Sequence, residues 1–278
     1  MQPHEFTDLT YDLDADGIVT LRFARPERKN GLTHLTALEL QYAARTFQSD
    51  DDAKAMIVTG APIPNAAPEK QVFCSGAFFA PGAYEGVSDE IMAQLDHNDI
   101  ALKGVVMAFL DVDKPVLAAI NGAAIGGGLT FPLAAADQIY LSEHAWARLP
   151  FANLGICSEL VSTYLLPKLL GHYKAKELLF FPTKLPAHAL MDLGFGNSVQ
   201  THDELLDFTR QRALELIPPR APLGSMRAMK RIMNEQRKDD MAQTLNLENA
   251  ALNELMQASD FKEAVQARVE KRSPVFQG

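Results

Sequence analysis

A run of three glycines directly behind an apolar segment constrains the fold of this chain more than any other feature. The region reads "KPVLAAINGAAIGGGLTFPLAAA", and the run is Gly126, Gly127 and Gly128. Glycine lets backbone N–H groups approach a neighbouring group without a Cβ in the way. At the start of a helix those groups also lie at the positive end of the helix dipole. The region therefore predicts a strand, a glycine turn and a helix, which either pack closely or hold a phosphate or an oxyanion.

A second glycine turn, "FCSGAFF", follows another short apolar segment near residue 73. Taken alone, it predicts a plain turn. Its cysteine, Cys74, has no histidine or acid in a recognisable relation to it, so we interpret it as a small buried thiol rather than a nucleophile. Neither turn is a nucleotide-phosphate loop, because no lysine follows the glycines and no GxGxxG is present.

The predicted elements alternate between strands and helices. A hairpin joins Leu9 to Leu13 with Ile18 to Phe23 through the turn sequence "DADG". Apolar spacing predicts helices over residues 35–47 and 88–112, with two short strands between them and a further strand behind them. This alternation predicts an α/β fold with partly parallel sheets.

The second half of the chain has a mostly helical pattern. It begins with a helix predicted from Ser158 to Leu170, and the proline-rich "IPPRAP" near residue 220 breaks the pattern. We therefore expect a core over residues 1–200 and a helical C-terminal region over residues 201–278.

Composition narrows the class of protein. The 278 residues carry a net charge of −9, which argues against nucleic acid as the main partner. Two cysteines, no secretory leader and no apolar run long enough to cross a bilayer predict a cytoplasmic protein without membrane contact. The seven histidines follow no metal-ligand pattern, so we expect no metal.

A single acid lies in an otherwise uncharged stretch, "PFANLGICSELVSTYLLP", from Pro150 to Pro167. A carboxylate among apolar residues costs free energy unless something compensates for it. One interpretation is that Glu159 is a catalytic acid/base, whose pKa the apolar surroundings raise and the start of the predicted helix lowers. The other is that it complements the helix dipole, one residue after an N-cap Ser158.

Four segments, in order, resemble the crotonase (enoyl-CoA hydratase/isomerase) superfamily. "RPERKNGLT" is similar to the family's RPxxxNAL, "FCSGAFF" to [FC]-x-[SA]-G-A-D, "KPVLAAINGAAIGGG" to KPxIAAxxGxxxGGG, and "LLFFPTKLPAHALMDLGFGNSV" to the helix with A-x-x-A-x-x-x-G-L-V. The resemblance implies a crotonase-type spiral of ββα units and a helical C-terminal trimerisation region. It also implies an acyl-CoA thioester as substrate, no cofactor, and a homotrimer or a dimer of trimers.

The resemblance carries site residues with it. The backbone N–H groups of Ala77 and Gly127 match the positions that form the family's oxyanion hole for the thioester oxygen. The loop before the first helix implies contacts with CoA, from Arg25, Arg28 and Lys29. The implied acyl pocket consists of Phe78, Thr130, Phe151 and Leu160.

The chemistry implied is isomerisation rather than hydration. The family's hydratases use two glutamates, and their positions are occupied here by Thr130 and Phe151. The stretch around Glu159 resembles PF-x-x-LG-x-x-x-EG of the peroxisomal-type Δ3,Δ2-enoyl-CoA isomerases of fatty-acid β-oxidation, although Leu160 replaces the final glycine. Two alternatives stay open. One is another enolate reaction, by a thioesterase or a lyase, on an unusual acyl-CoA; the other is an inactive acyl-CoA-binding protein.

Overall fold

The computed structural model describes residues 1–78, 83–84 and 86–278. In this part of the chain the strands are β1 (Leu9–Leu13), β2 (Ile18–Phe23), β3 (Ala55–Gly60), β4 (Val72–Cys74), β5 (Val116–Ile120), β6 (Ala123–Ile125), β7 (Gln138–Ser142), β8 (Trp146–Arg148), β9 (Leu185–Pro186) and β10 (Ser198–Gln200). The helices are α1 (His34–Ser49), α2 (Asp89–Met92), α3 (Lys103–Leu110), α4 (Gly127–Ala135), α5 (Ser162–Leu170), α6 (His172–Phe180), α7 (Ala187–Asp192), α8 (Leu205–Leu214), α9 (Leu223–Leu255) and α10 (Ser259–Glu270).

The strands form two sheets, and in both sheets the strand order follows the order of the strands along the chain. The larger sheet has the order β1-β2-β3-β5-β7-β10, and the smaller one β4-β6-β8-β9. The predicted hairpin of β1 and β2 is antiparallel, whereas β2, β3, β5, β7 and β10 pair in parallel. Strands β3, β5 and β7 are each followed by a strand of the smaller sheet, so the chain advances as a spiral. The predicted α/β fold with partly parallel sheets is confirmed.

The triple glycine allows close packing at one position and opens the other side of the turn. A Cβ on Gly128 would lie 2.2 Å from the carbonyl oxygen of Cys74, which leaves no room for any side chain. Helix α4 thereby packs directly on β4, and Cys74 is buried in the main core. The packing interpretation of the glycine run thus holds at Gly128, while Gly127 faces a different neighbour.

The predicted helix over residues 88–112 is wrong in its length, because it divides into α2 and α3. Residues 93–102 between them are not α-helical, and Leu102 at the N-cap of α3 has a φ of 56°. The carboxylate of Asp99 accepts hydrogen bonds from the N–H groups of Lys103 (2.7 Å) and Gly104 (2.7 Å), which caps α3. The cap at Asp99 therefore starts a new helix at Lys103, where the apolar spacing indicated one continuous helix.

The C-terminal helices lie on two sides of the core, because α8 packs on the large sheet and α9 packs on helices α3 and α5. Met241, Leu245 and Leu252 of α9 belong to the main hydrophobic cluster, and Leu205 and Ala213 of α8 belong to a second one on the opposite face. The boundary at residue 200 remains a prediction about domain organisation. Among the described residues, no helix has the length and apolarity to cross a bilayer.

Candidate active site

A cavity of about 400 Å³ opens between the two glycine turns and the last two helices. Its walls are mostly apolar, from Leu32, Phe78, Ile100, Leu102, Ile125, Phe151, Leu154, Ile156, Leu252 and Met256. Seven further described residues bring polar side chains, namely Lys29, Thr33, His34, Ser75, Tyr84, His97 and Arg268, and Glu159 brings a carboxylate. A concave, mostly apolar pocket with a few polar groups is the usual form of a small-molecule site.

The turn after β4 leaves the N–H of Ala77 facing away from Leu32, the residue with which Ala77 forms a bridge. Leu32 N donates to the carbonyl oxygen of Gly76 (2.8 Å), and Phe78 N donates to that of Leu32 (2.8 Å). In a parallel bridge of this kind the residue between, Ala77, has its own N–H on the far side from Leu32. Gly76 is required here, because its φ is +76° and a Cβ would lie 2.5 Å from the carbonyl oxygen of Ile125.

The amide of Gly127 lies next to this turn. Gly127 is the first residue of α4, so its N–H has no acceptor within the helix. The point that a Cβ on Gly76 would occupy is 3.5 Å from Gly127 N. The two turns that carry Ala77 and Gly127 are therefore neighbours along one wall of the cavity.

Glu159 lies on a tight turn ahead of α5 and not within that helix. The predicted start at Ser158 is wrong: α5 begins at Ser162, because Leu160 (φ 56°) and Val161 (φ 58°) are both left-handed. Ser162 donates twice to the carbonyl oxygen of Glu159, from its N–H (3.2 Å) and its hydroxyl (2.6 Å). Ser158 is accordingly not an N-cap. The prediction that the start of this helix lowers the pKa of Glu159 is therefore wrong.

The carboxyl of Glu159 is buried beside Gly127. Only 8% of the residue is exposed, and its Oε1 lies 2.8 Å from where a Cβ on Gly127 would stand. Burial raises its pKa to about 7, and the nearby charge of Glu248 acts in the same direction. The N–H of Gly127 opposes both by favouring the ionised form. A carboxyl of this kind exists in both protonation states near neutral pH and suits acid/base work.

A second buried acid, Glu248 of α9, holds the turn that carries Glu159. Its carboxylate accepts hydrogen bonds from Val161 N (2.8 Å), Thr163 N (3.0 Å) and Thr163 Oγ1 (2.6 Å). It thereby caps α5 from another helix, because those N–H groups belong to the N-cap and first turn. Sequence reasoning missed Glu248. A signal existed, since it falls on the buried stripe of α9 between Leu245 and Leu252.

Of the three cationic residues predicted to contact CoA, only Lys29 is part of the cavity lining. Arg25 is paired with Glu27 (2.7 Å) and approaches Asp8 (3.5 Å) instead. Arg28 donates to the carbonyl oxygen of Ala83 (2.9 Å), and its guanidinium lies 5.5 Å from the centre of the Phe78 ring.

Of the four residues predicted for the acyl pocket, two line the cavity and two do not. Phe78 and Phe151 line the cavity. Thr130 and Leu160 are buried behind that lining: the Thr130 hydroxyl donates back to the Gly126 carbonyl (3.4 Å), and Leu160 N donates to the carbonyl oxygen of Ala101 (3.1 Å). Helix packing turns Thr130 inward, and the left-handed turn does the same for Leu160.

The described residues hold no group of three or more His, Cys, Asp or Glu side chains that could bind a metal ion.

Residues 14–278 match the enoyl-CoA hydratase/isomerase family, so the chain belongs to this family of the crotonase superfamily. Crotonase-family enzymes act on acyl-CoA substrates and require no cofactor.

Individual relatives resemble the chain over most of its length. A probable enoyl-CoA hydratase from Rhodobacter capsulatus is 28% identical over 95% of this chain and 96% of its own. Enoyl-CoA delta isomerase 2 from Rattus norvegicus is 29% identical over 81% of this chain and 54% of its own. The crystal structure of an enoyl-CoA hydratase/isomerase from Pseudoalteromonas atlantica T6c superposes with a TM-score of 0.80 at 26% identity, covering 98% of this chain and all of that one.

Proposed function

We propose that this protein is a Δ3,Δ2-enoyl-CoA isomerase in which Glu159 is the single acid/base. The observation that carries the proposal is the isolation of this carboxyl: of the described residues that line the cavity, Glu159 alone is an acid. It lies beside Gly127 with a pKa of about 7. A reaction that takes a proton from one carbon and returns one to another needs one such group and no water.

The mechanism begins with the thioester oxygen between two amides. Ionised Glu159 removes a proton from C2 of the 3-enoyl thioester, and the electron pair of the C2–H bond forms the enolate. The N–H groups of Ala77 and Gly127 stabilise the negative charge on the oxygen. Each such donor lowers the barrier by about 3 kcal/mol, judged from other oxyanion holes.

The second half returns the proton to a different carbon. Protonated Glu159 delivers a proton to C4, the double bond moves from C3–C4 to C2–C3, and the carboxylate is regenerated. No atom is gained or lost between substrate and product. A pKa near 7 serves both halves, because the group must accept and donate with similar ease.

Water addition is the second candidate, because the Rhodobacter capsulatus relative is named a hydratase. The usual hydratase mechanism needs two carboxylates, and here their positions hold Thr130 and Phe151. Thr130 is also buried outside the cavity lining, with its hydroxyl bonded to the backbone. The residues therefore favour isomerisation over hydration.

The charges at the cavity support binding of the CoA part. Lys29 and Arg268 both line it, and neither has an ion-pair partner among the described residues. Cationic side chains of this kind favour the phosphates of CoA despite the net charge of −9. We propose Lys29 as a contact to CoA and, from the resemblance, a homotrimer or dimer of trimers as the assembly.

Two substrates separate the candidates. The purified protein is incubated with 3-hexenoyl-CoA and, separately, with 2-hexenoyl-CoA, and products are followed by ultraviolet absorbance and mass spectrometry. We expect the first substrate to become the conjugated isomer of equal mass and the second to gain no water. Formation of 3-hydroxyhexanoyl-CoA as the main product would replace isomerase with hydratase, and release of free CoA would indicate a thioesterase.

A further inference from the structure

A cluster of three titratable side chains lines the same cavity and has no part in the proton transfer described above. His34 Nδ1 and the hydroxyl of Tyr84 share a hydrogen bond of 2.8 Å. The His97 ring packs at 4.8 Å from the His34 ring and 6.0 Å from the Tyr84 ring, measured between centroids. All three residues line the cavity together with Glu159. We call them the His34–Tyr84–His97 cluster.

The cluster always has one spare proton donor at neutral pH. Burial and the neighbouring His97 lower the pKa of His34, so its imidazole is neutral. A neutral imidazole and a phenol carry one N–H and one O–H, and their mutual hydrogen bond uses only one of them. If Tyr84 donates to Nδ1, the Nε2–H of His34 is left over. If Nδ1–H donates to Tyr84, the phenol O–H is left over.

The cluster belongs to the side of the cavity where the acyl chain must run. His97 shares the loop of residues 93–102 with Ile100 and Leu102, which also line the cavity. That loop is tied to the turn of the catalytic acid, because Leu160 N donates to the carbonyl oxygen of Ala101 (3.1 Å). An acyl chain whose C2 and C4 lie at Glu159 therefore continues along this loop.

The surrounding charge selects against an anionic group. The negative charges of Asp96 and Asp99 partly oppose the lowering of the His34 pKa, and that of Asp8 adds to the raised pKa of Tyr84. A carboxylate on the substrate would meet this negative potential, whereas a neutral oxygen would not. An alkyl chain bound against the half-buried cluster would displace water from the spare donor and leave that donor without an acceptor.

We propose that the His34–Tyr84–His97 cluster is a binding subsite for a neutral oxygen function, a carbonyl or a hydroxyl, on the acyl chain of the substrate. The preferred substrates are then oxygenated enoyl-CoA thioesters rather than plain alkyl ones. This inference rests on the proposed function for the placement of the acyl chain, and it names the substrate class of that site.

Unreactive ligands test the subsite without requiring catalysis. Isothermal titration calorimetry compares hexanoyl-CoA, 4-oxohexanoyl-CoA, 5-oxohexanoyl-CoA, adipoyl-CoA and free CoA on the wild-type protein. None of these acyl chains contains a carbon–carbon double bond, so their affinities do not depend on isomerase activity. We expect at least one oxo ligand to bind about tenfold more tightly than hexanoyl-CoA, and adipoyl-CoA to bind more weakly than either.

Two variants assign the preference to the cluster. Tyr84→Phe removes only a hydroxyl, and His34→Leu removes the imidazole; each should reduce the oxo preference to within about twofold, because the oxo ligand loses more affinity than hexanoyl-CoA does. Tyr173→Phe is the matched control, because Tyr173 is 94% exposed and outside the cavity lining.

Three results would overturn the proposal. They are no oxo preference in the wild type, a preference that survives Tyr84→Phe, or an equal loss of affinity for free CoA and every ester in that variant. The last would assign the cluster to the pantetheine arm. If isomerase activity fails while the oxo preference is lost only in the variants, the subsite stands and the proposed reaction is wrong.

Discussion

The carboxylate of Glu248 both supports the turn that carries Glu159 and raises the pKa of Glu159. Its three acceptor contacts, to Val161 N, Thr163 N and the Thr163 hydroxyl, keep it hydrogen-bonded although it is 3% exposed. Burial raises the pKa of Glu248, whereas its three partners, all of them donors, favour the ionised form. One buried acid thus positions another and holds its proton affinity near neutrality.

Replacing Glu248 with Gln should separate these two effects. The glutamine side chain has one acceptor oxygen where the carboxylate has two, so it cannot accept from both Val161 N and Thr163 N. The turn should loosen, and we expect kcat to fall about tenfold. Loss of the negative charge also favours ionisation of Glu159, so the midpoint of the pH–rate profile should move to lower pH. Thr163→Val is the control: it removes one hydroxyl contact without a change of charge, so its midpoint should not move. A Glu248→Gln profile with the wild-type midpoint would contradict this role.

The pH dependence of the reaction should follow the ionisation of Glu159. The carboxylate must be ionised to take the C2 proton, and burial places its pKa at about 7. We therefore expect kcat/KM for 3-hexenoyl-CoA to rise about tenfold per unit below that value and to level off above it. Initial rates between about pH 5 and pH 9 measure this. A flat profile over that range would mean that another group is the base.

Replacing Gly127 with alanine should damage the oxyanion site and Glu159 together. The new Cβ would lie 2.8 Å from Glu159 Oε1 and 2.8 Å from Leu32 Cδ1. We expect kcat to fall by about 10² or more, the loss typical of one oxyanion donor, with the fold retained by circular dichroism. Gly224→Ala is the control, because no atom lies within 4 Å of its new Cβ. Equal activity in the two variants would argue against a site at Gly127.

The buried acid should cost stability in a way that depends on pH. The folded protein holds the Glu159 proton more tightly than the unfolded chain, whose carboxyl titrates near 4.5. Stability is therefore lost as pH rises from about 4.5 through about 7, and the full cost is present above that range. Glu159→Gln removes the titration, so the variant should exceed the wild type by up to about 3 kcal/mol near pH 8 and by much less near pH 5. Urea unfolding at both pH values measures the difference; an equal gain at both would contradict the raised pKa.

Local patterns predicted those parts of the fold that local chemistry determines. The hairpin of β1 and β2 and the glycine turn before α4 follow from turn residues and from space that only glycine leaves. The apolar spacing over residues 88–112 did not reveal the break before Lys103. The capping acid Asp99 also binds Asn249 of the distant helix α9 (2.8 Å), so that break depends on tertiary contacts.

The candidate site divides in the same way. The backbone amides and Glu159 lie in short motifs and could be named from the sequence. The residues that tune and extend the site could not, because Glu248 meets Val161, and His34 meets Tyr84, only through the tertiary fold. The resemblance implies that Arg25 contacts CoA, but in the structure its guanidinium pairs with Glu27.

The most direct test is the fate of the C2 proton in the Glu159→Gln variant. 3-Hexenoyl-CoA is followed by proton NMR in D₂O, with Glu254→Gln, an exposed change on α9, as the control. Wild type and control should form the conjugated isomer with the proton removed from C2 now at C4, because Glu159 carries it between the two carbons without water. Glu159→Gln should lose about 10³-fold or more in rate while hexanoyl-CoA affinity stays within about twofold. Isomerisation by Glu159→Gln at a rate near that of the wild type would contradict the role assigned to this carboxyl.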